Sequence, residues 1–189
     1  MAAHASQRKL DLMTAAVMLA ARGGQAAATI RAIAEKVGVT EGAVYRHFRS
    51  KEELCWSAYK RIVAEMVEQK RHLATQGIPI RQRIDEWVRL TFEFFDRQPE
   101  AFAYVLLTEH KVPEGECEIT HVQGKLFKAM VHDSMATGEL RQLDPDVALS
   151  HLTGLMLNIP RLIRAGDLQG PASNYTKEIA NAVWRVLAP

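Results

Sequence analysis

TIRAIAEKVGVTEGAVYRHFRSKEEL, from Thr29 to Leu54, is the stretch whose reading decides the fold. Ile30, Ile33, Ala34 and Val37 recur three and four residues apart, so they form one apolar stripe on a short helix. Thr29 stands just before that stripe, where a hydroxyl accepts a bond from an otherwise unpaired backbone N–H. Gly38 stands just after it, where a residue of positive φ ends a helix. Thr40 repeats the capping signal and opens a further helix, predicted from Glu41 to about Arg49. Ser50-Lys51-Glu52-Glu53 then has the form of a capping box. The helix it starts meets no breaker before Gly77 and Pro79. A small residue at Ala34 where two helices cross, Gly38 at a sharp turn, and Val44 anchoring the second helix to the first are the spacings of a DNA-binding helix-turn-helix.

A helical wheel separates the two sides of the segment after Thr40. At 100° per residue Val44 and Phe48 fall together and face inward, while Gly42 and Arg46 lie nearly opposite, flanked by Tyr45 and His47. Arg46 can donate two hydrogen bonds to a guanine edge in the major groove. Gly42 lets backbone approach bases or phosphates closely. Tyr45, His47 and the Thr40 hydroxyl have the reach for phosphate oxygens. Lys51 at the start of the next helix sets a cation beside free N–H groups, and Thr29 with Arg31 forms a similar phosphate clamp on the other side. Glu41 either accepts from a cytosine amine or favours the helix N-terminus through the dipole; the second role is preferred.

This run closely resembles the signature of the tetracycline-repressor (TetR) family. Val44-Tyr45-Arg46-His47-Phe48 followed by Ser50-Lys51-Glu52 is its most specific part. The resemblance implies that Thr40, Gly42, Tyr45 and His47 occupy DNA-contacting positions and that Lys51 is the phosphate-binding lysine. It extends weakly back through Ala15-Ala16 to Arg22-Gly23, with a departure at Ala20, where the family often has phenylalanine. Gly138-Glu-Leu-Arg-Gln-Leu-Asp-Pro145 is similar to the family's lead into its penultimate helix. The implied fold is all-α: an N-terminal three-helix DNA-binding domain (1–54) with the helix-turn-helix, then a helical dimerisation and effector-binding domain (55–189). The last two long helices, about Asp146–Arg164 and Asn174–Leu187, are expected to form the homodimer interface, with Leu149, Leu152, Met156 and Ile163 on one and Ile179, Val183 and Val186 on the other.

The rest of the chain agrees with that outline. The apolar pattern is helical almost throughout, with no alternating β-branched runs. A first helix is predicted from Ser6 to Arg22, stopped by Gly23-Gly24. Later helices are predicted over Ile80–Gln98, from Pro99, around Ile119–Met130, from Asp144-Pro145, where an N-cap precedes proline at the first helical position, and over Asn174–Leu187. Pro160 must kink or interrupt the fourth of these. Residues 1–60 hold nine Lys/Arg against five Asp/Glu, and the remainder fifteen against seventeen, so a basic N-terminal third precedes a mildly acidic body.

Trp87, Phe92, Phe95, Phe102, Tyr104, Phe127, Met130 and Met156 are the residues that can line an apolar cavity between helices, and together they favour an apolar or aromatic effector. Each alone reads equally as core. Cys117, Glu118 and His121 fall near one another on a helix, with His132 on nearly the same face, but solvated or capping roles account for them, and neither metal nor cofactor is expected. Apolar runs are too short for a membrane span, and Asp11 interrupts the N-terminal run, so no signal peptide is expected. Two widely spaced cysteines, Cys55 and Cys117, suit a reducing cytoplasm. The sequence thus reads as a ligand-responsive regulator, a repressor released from a palindromic double-stranded DNA operator by a small effector. The alternatives are a ligand-independent architectural DNA binder and an all-helical enzyme. The latter finds no GxSxG, P-loop, HExxH or dinucleotide fingerprint.

Overall fold

The computed structural model describes residues 2–74, 77–110 and 112–189, and no strand occurs among them. The elements run α1 (Ala2–Gly23), α2 (Ile30–Val37), α3 (Glu41–Tyr45), α4 (Lys51–Lys70), α5 (Ile80–Arg97), α6 (Pro99–Phe102), a π-helical turn (Ala103–Leu107), α7 (Cys117–Thr120), α8 (Val122–Ala136), α9 (Pro145–Ala165) and α10 (Thr176–Leu187). They fall into two compact units. One comprises residues 1–63 with 100–110, the other 64–99 with 111–189. The division therefore lies within α4, nine residues beyond the expected boundary after Leu54. The reason is that the first half of α4 packs on the 100–110 segment: the Tyr104 hydroxyl donates to the Cys55 carbonyl (3.0 Å), and the Tyr59 ring meets His110 edge to face.

In the first unit, α1 begins at Ala2 rather than Ser6, as an alanine-rich opening without a breaker favours. Leu12, Ala16 and Ala20 of α1 are buried with Ile33 and Ala34 of α2 and with Val44 and Phe48, so one core seats both short helices. Thr29 caps α2 by accepting from the Ala32 N–H (3.1 Å), and Thr40 caps α3 by accepting from Ala43 (3.3 Å). Between them Gly38 takes the left-handed conformation at φ 73°. Its N–H and that of Val39 close onto the carbonyls of Glu35 and Ala34. A Cβ at Gly38 would meet nothing within 4 Å, so the demand for glycine is conformational alone. Gly38→Ala is accordingly expected to cost about 1–2 kcal/mol in urea denaturation. A cost of only a few tenths would show that the turn tolerates a side chain.

α3 is shorter than expected. It stops at Tyr45 because the His47 N–H bonds to the Val44 carbonyl (2.9 Å), tightening the chain into a turn that delivers Phe48 to the core. The capping box is also modified. Ser50 Oγ accepts from the Glu53 N–H (3.1 Å), but the Glu53 carboxylate reaches the Arg49 N–H (2.6 Å) instead of that of Ser50.

The second unit packs α5 against α10, α9 and α8. Asp144 caps α9 as predicted, accepting from Asp146 and Val147 N–H groups. Helix α9 passes through Pro160, whose ring is buried, and ends at Gly166 in the left-handed conformation. The helix expected around Ile119 is broken at His121, whose N–H bonds back to Glu118. The carboxylate of Asp96 holds the turn before α10 by accepting from Ala172 (2.7 Å) and Ser173 (2.9 Å) N–H groups.

The stripes assigned to dimerisation need correction. Leu152, Met156 and Val183 are buried within the protomer, because they face α5 and the other helices of this unit. On α9 and α10 the apolar groups left at the surface include Val147, 44% exposed, and the half-buried Leu149, Leu155, Leu157, Ile159, Leu162, Ile163, Ile179, Trp184 and Val186. No helix among the described residues is long and apolar enough to cross a membrane.

Candidate nucleic-acid interface

The segment from Thr40 to Lys51 has two chemically different sides. Val44 and Phe48 are buried, whereas Thr40, Glu41, Gly42, Tyr45 and Arg46 are exposed and His47 is half-buried. Tyr45 is 54% exposed, a large aromatic group left in water. A Cβ on Gly42 would find only the Thr40 hydroxyl, at 4.0 Å. The protein itself therefore does not require glycine there, while a close-approaching partner would. Arg46 holds α-helical angles at the C-terminus of α3 (φ −69°, ψ −22°), which keeps its side chain on the outward ridge.

Thr29 and Arg31 are exposed at the start of α2. Both capping threonines use their oxygen as acceptor, so each retains an O–H to donate to a phosphate. Glu41 sits in the first turn of α3, where the helix dipole favours a negative charge. Lys51 is more committed than the sequence implied: its ammonium donates to the Gln25 carbonyl (2.9 Å), tying the turn after α1 to the start of α4. Two of its N–H groups remain for a phosphate.

The chain also brings α1 to this face. Gln7, Arg8 and Asp11 line a groove with Val39, Ala43, Arg46 and His47, and the Lys9 ammonium lies 5.1 Å from the centre of the Phe48 ring. Arg8 and Lys9 are exposed cations beside the outward ridge. They were missed because α1 reads as a plain apolar helix. The available signal was an Arg-Lys pair one turn before the first core residue, Leu12.

Behind this face, Gln25 links the turn after α1 to the 100–110 segment. Its amide donates to the Glu109 carbonyl (3.3 Å) and meets the His110 Nδ1 (2.9 Å), while the His110 Nε2 meets the Tyr104 carbonyl. Burial lowers the His110 pKa, so the imidazole is neutral near pH 7. Burial likewise pushes the Cys55 thiol up, leaving it an unreactive core group.

The eight residues expected to line an effector cavity are all buried. Phe102 and Tyr104 belong to the first unit, and Trp87, Phe92, Phe95, Phe127, Met130 and Met156 to the second. Trp87 and Phe127 meet edge to face with ring centres 5.4 Å apart. Of the residues weighed for a metal, the side chain of Cys117 lies outside the described residues, and Glu118 pairs with Lys125 (2.9 Å).

A family model described as bacterial regulatory proteins, tetR family, matches residues 12–55, the span from Leu12 of α1 to Cys55 of α4. The uncharacterized HTH-type transcriptional regulator YerO of Bacillus subtilis is 31% identical over 113 residues, 59% of this chain and 39% of that protein. The HTH-type transcriptional repressor KstR of Mycolicibacterium smegmatis is 30% identical over 156 residues, 77% of this chain and 75% of the repressor. The chain thus spans well under half of one relative and three quarters of the other. A crystal structure of the transcriptional regulator FadR from Bacillus subtilis, in complex with stearoyl-CoA, shares the fold: its TM-score is 0.77 at 14% identity, covering 92% of this chain and 96% of that one. With the helix-turn-helix where the family model matches and a repressor aligned over both units, the chain belongs to the tetR family of bacterial regulatory proteins.

Proposed function

We propose that this chain is a sequence-specific DNA-binding transcriptional regulator, not an enzyme, that acts in the cytoplasm as a homodimer on a near-palindromic operator and is released by a small apolar or aromatic effector. The observation that carries the reading is the outward ridge of Gly42, Tyr45 and Arg46 on a segment whose other side is seated by Val44 and Phe48. Arg46 is the base-reading residue. Tyr45, His47, Thr40, Thr29, Arg31 and Lys51 hold phosphates, joined by Arg8 and Lys9 from α1. Glu41 favours the helix start. Two copies are needed because such a module reads half of a site, with half-sites about 34 Å apart. The surface groups Val147, Leu155 and Leu162 on α9, with Ile179 and Val186 on α10, are the apolar face offered to the second copy.

The effector domain is residues 64–99 with 111–189, with Trp87 and Phe127 among its lining. Support for an apolar ligand comes from this aromatic interior and from the stearoyl-CoA bound by the Bacillus subtilis FadR. Occupancy favours a separation of the two reading helices that mismatches successive major grooves.

The test is selection of bound sequences from random duplex DNA, then titration of the selected operator. Arg46→Ala is expected to lose roughly ten- to a hundredfold on the selected site and to relax preference at particular base pairs. Arg8→Ala should weaken binding to all sequences alike and lower the salt slope by about 1. Equal loss on every sequence for Arg46→Ala would assign Arg46 to phosphate, and failure to enrich any sequence would defeat the regulator reading.

A further inference from the structure

Among the described residues the buried charged side chains are Lys70 and Arg83, both cations and both in the second unit. Neither has a carboxylate within ion-pair distance among those residues. Arg83 donates from Nη2 to Ser134 Oγ (2.9 Å), has no partner for its Nε among the described residues, and borders a groove shared with the carboxylates of Asp133 and Glu139. Lys70 is the more deeply buried of the two.

Lys70 is the last residue of α4 and is fully buried. Among the described residues its ammonium has one hydrogen-bond partner, Gln123 Oε1, at a long 3.4 Å, and it lies 5.5 Å from the centre of the Trp87 ring. The Gln123 amide in turn points an N–H at the Met66 sulfur, 3.6 Å away, which is a weak acceptor. The pair is therefore rich in donors and poor in acceptors: among the described residues, two ammonium N–H groups and the amide N–H lack a good partner. Taking an ammonium out of water costs more than one long hydrogen bond and a ring face offset. Burial alone pushes the Lys70 pKa down to about 8, with no acidic neighbour opposing it, and the group still carries its charge at neutral pH. Gln123 itself is half-buried.

We propose that Lys70 and Gln123 anchor the carboxylate of a small monoanionic ligand whose apolar or aromatic body lies against Trp87 and Phe127. The inference rests on the reading of this unit as the effector domain. A carboxylate supplies what the site lacks, two acceptor oxygens and one negative charge. A phosphate ester or coenzyme A would carry more charge than one ammonium compensates. A thioester would present no charge to Lys70 at all.

The experiment is calorimetric titration, without DNA, of the full chain and of Lys70→Met with decanoate, cinnamate, decanol, cinnamyl alcohol and decanoyl-CoA. At least one acid is expected to bind the unsubstituted protein about tenfold or more tighter than its alcohol, and Lys70→Met is expected to erase that difference. Gln123→Leu, at a half-buried position, should weaken the acid severalfold and leave the alcohol unchanged. The inference is overturned if alcohol and acid bind equally, if Lys70→Met keeps the preference, if decanoyl-CoA binds tightest in both proteins, or if neither acid binds at millimolar concentration. An acid that binds but never releases the operator would sink the regulatory reading and leave the anchor standing. Release by the alcohols alone would do the reverse.

Discussion

Phe48→Ala is expected to remove about 3–5 kcal/mol from the stability of the N-terminal unit and to abolish operator binding, because the ring is both the core and the seat of the reading segment. Phe48 is 2% exposed, and the turn that ends α3 exists to deliver it to Leu12, Ile33 and Val44. Removing it leaves a cavity that α1 and α2 cannot close without losing their own packing, and it strips the Lys9 ammonium of its aromatic face. Against a total stability of about 5–15 kcal/mol, a loss of that size removes about a fifth of it at the least and all of it at the low end of the range. The paired control is Tyr45→Ala. That side chain is 54% exposed, so its removal should change stability by less than about 0.5 kcal/mol while binding still falls. Urea denaturation and operator titration on the two variants separate a scaffold residue from a contact residue. If Phe48→Ala costs under 1 kcal/mol, or if Tyr45→Ala binds at full strength, the two-sided account of the segment is wrong.

What could be read in advance was what is locally encoded. Thr29, Thr40 and Asp144 cap helices through bonds to N–H groups two or three residues on, so their chemistry is complete within a few positions. Gly38 is similarly local, since its φ is set by its own backbone. The inward side of the reading segment followed from helical angle alone, because Val44 and Phe48 are one turn apart. Features that depend on distant partners were not legible. The commitment of Lys51 to the Gln25 carbonyl spans 26 positions, and the bond from Tyr104 to Cys55 spans 49. That bond helps move the division of the chain from Leu54 to Val63. Periodicity also gives an apolar face without saying which neighbour covers it, which is how Leu152, Met156 and Val183 came to be assigned to a partner copy.

A last expectation concerns stability and pH. Lys70→Met should raise the unfolding free energy near neutral pH by about 3 kcal/mol, an unusual sign for a substitution at a fully buried position. Methionine fills nearly the same volume and stacks on the same Trp87 ring, while the uncompensated ammonium disappears. The size follows from the pKa, about 8 folded against 10.5 for the exposed group, at about 1.4 kcal/mol per unit. The pH dependence fixes the sign independently. Below pH 8 Lys70 is protonated in both states, and the whole penalty is present. Between 8 and 10.5 the unfolded chain holds a proton that the folded one has released, so the unsubstituted protein gains stability as pH rises. Above 10.5 the penalty is gone. The advantage of Lys70→Met should therefore be constant up to about pH 8 and shrink beyond it, as read by urea midpoints of the two proteins compared at each pH. A loss of stability instead would mean that Lys70 already has a compensating partner in the free protein, and the case for a ligand carboxylate would go with it.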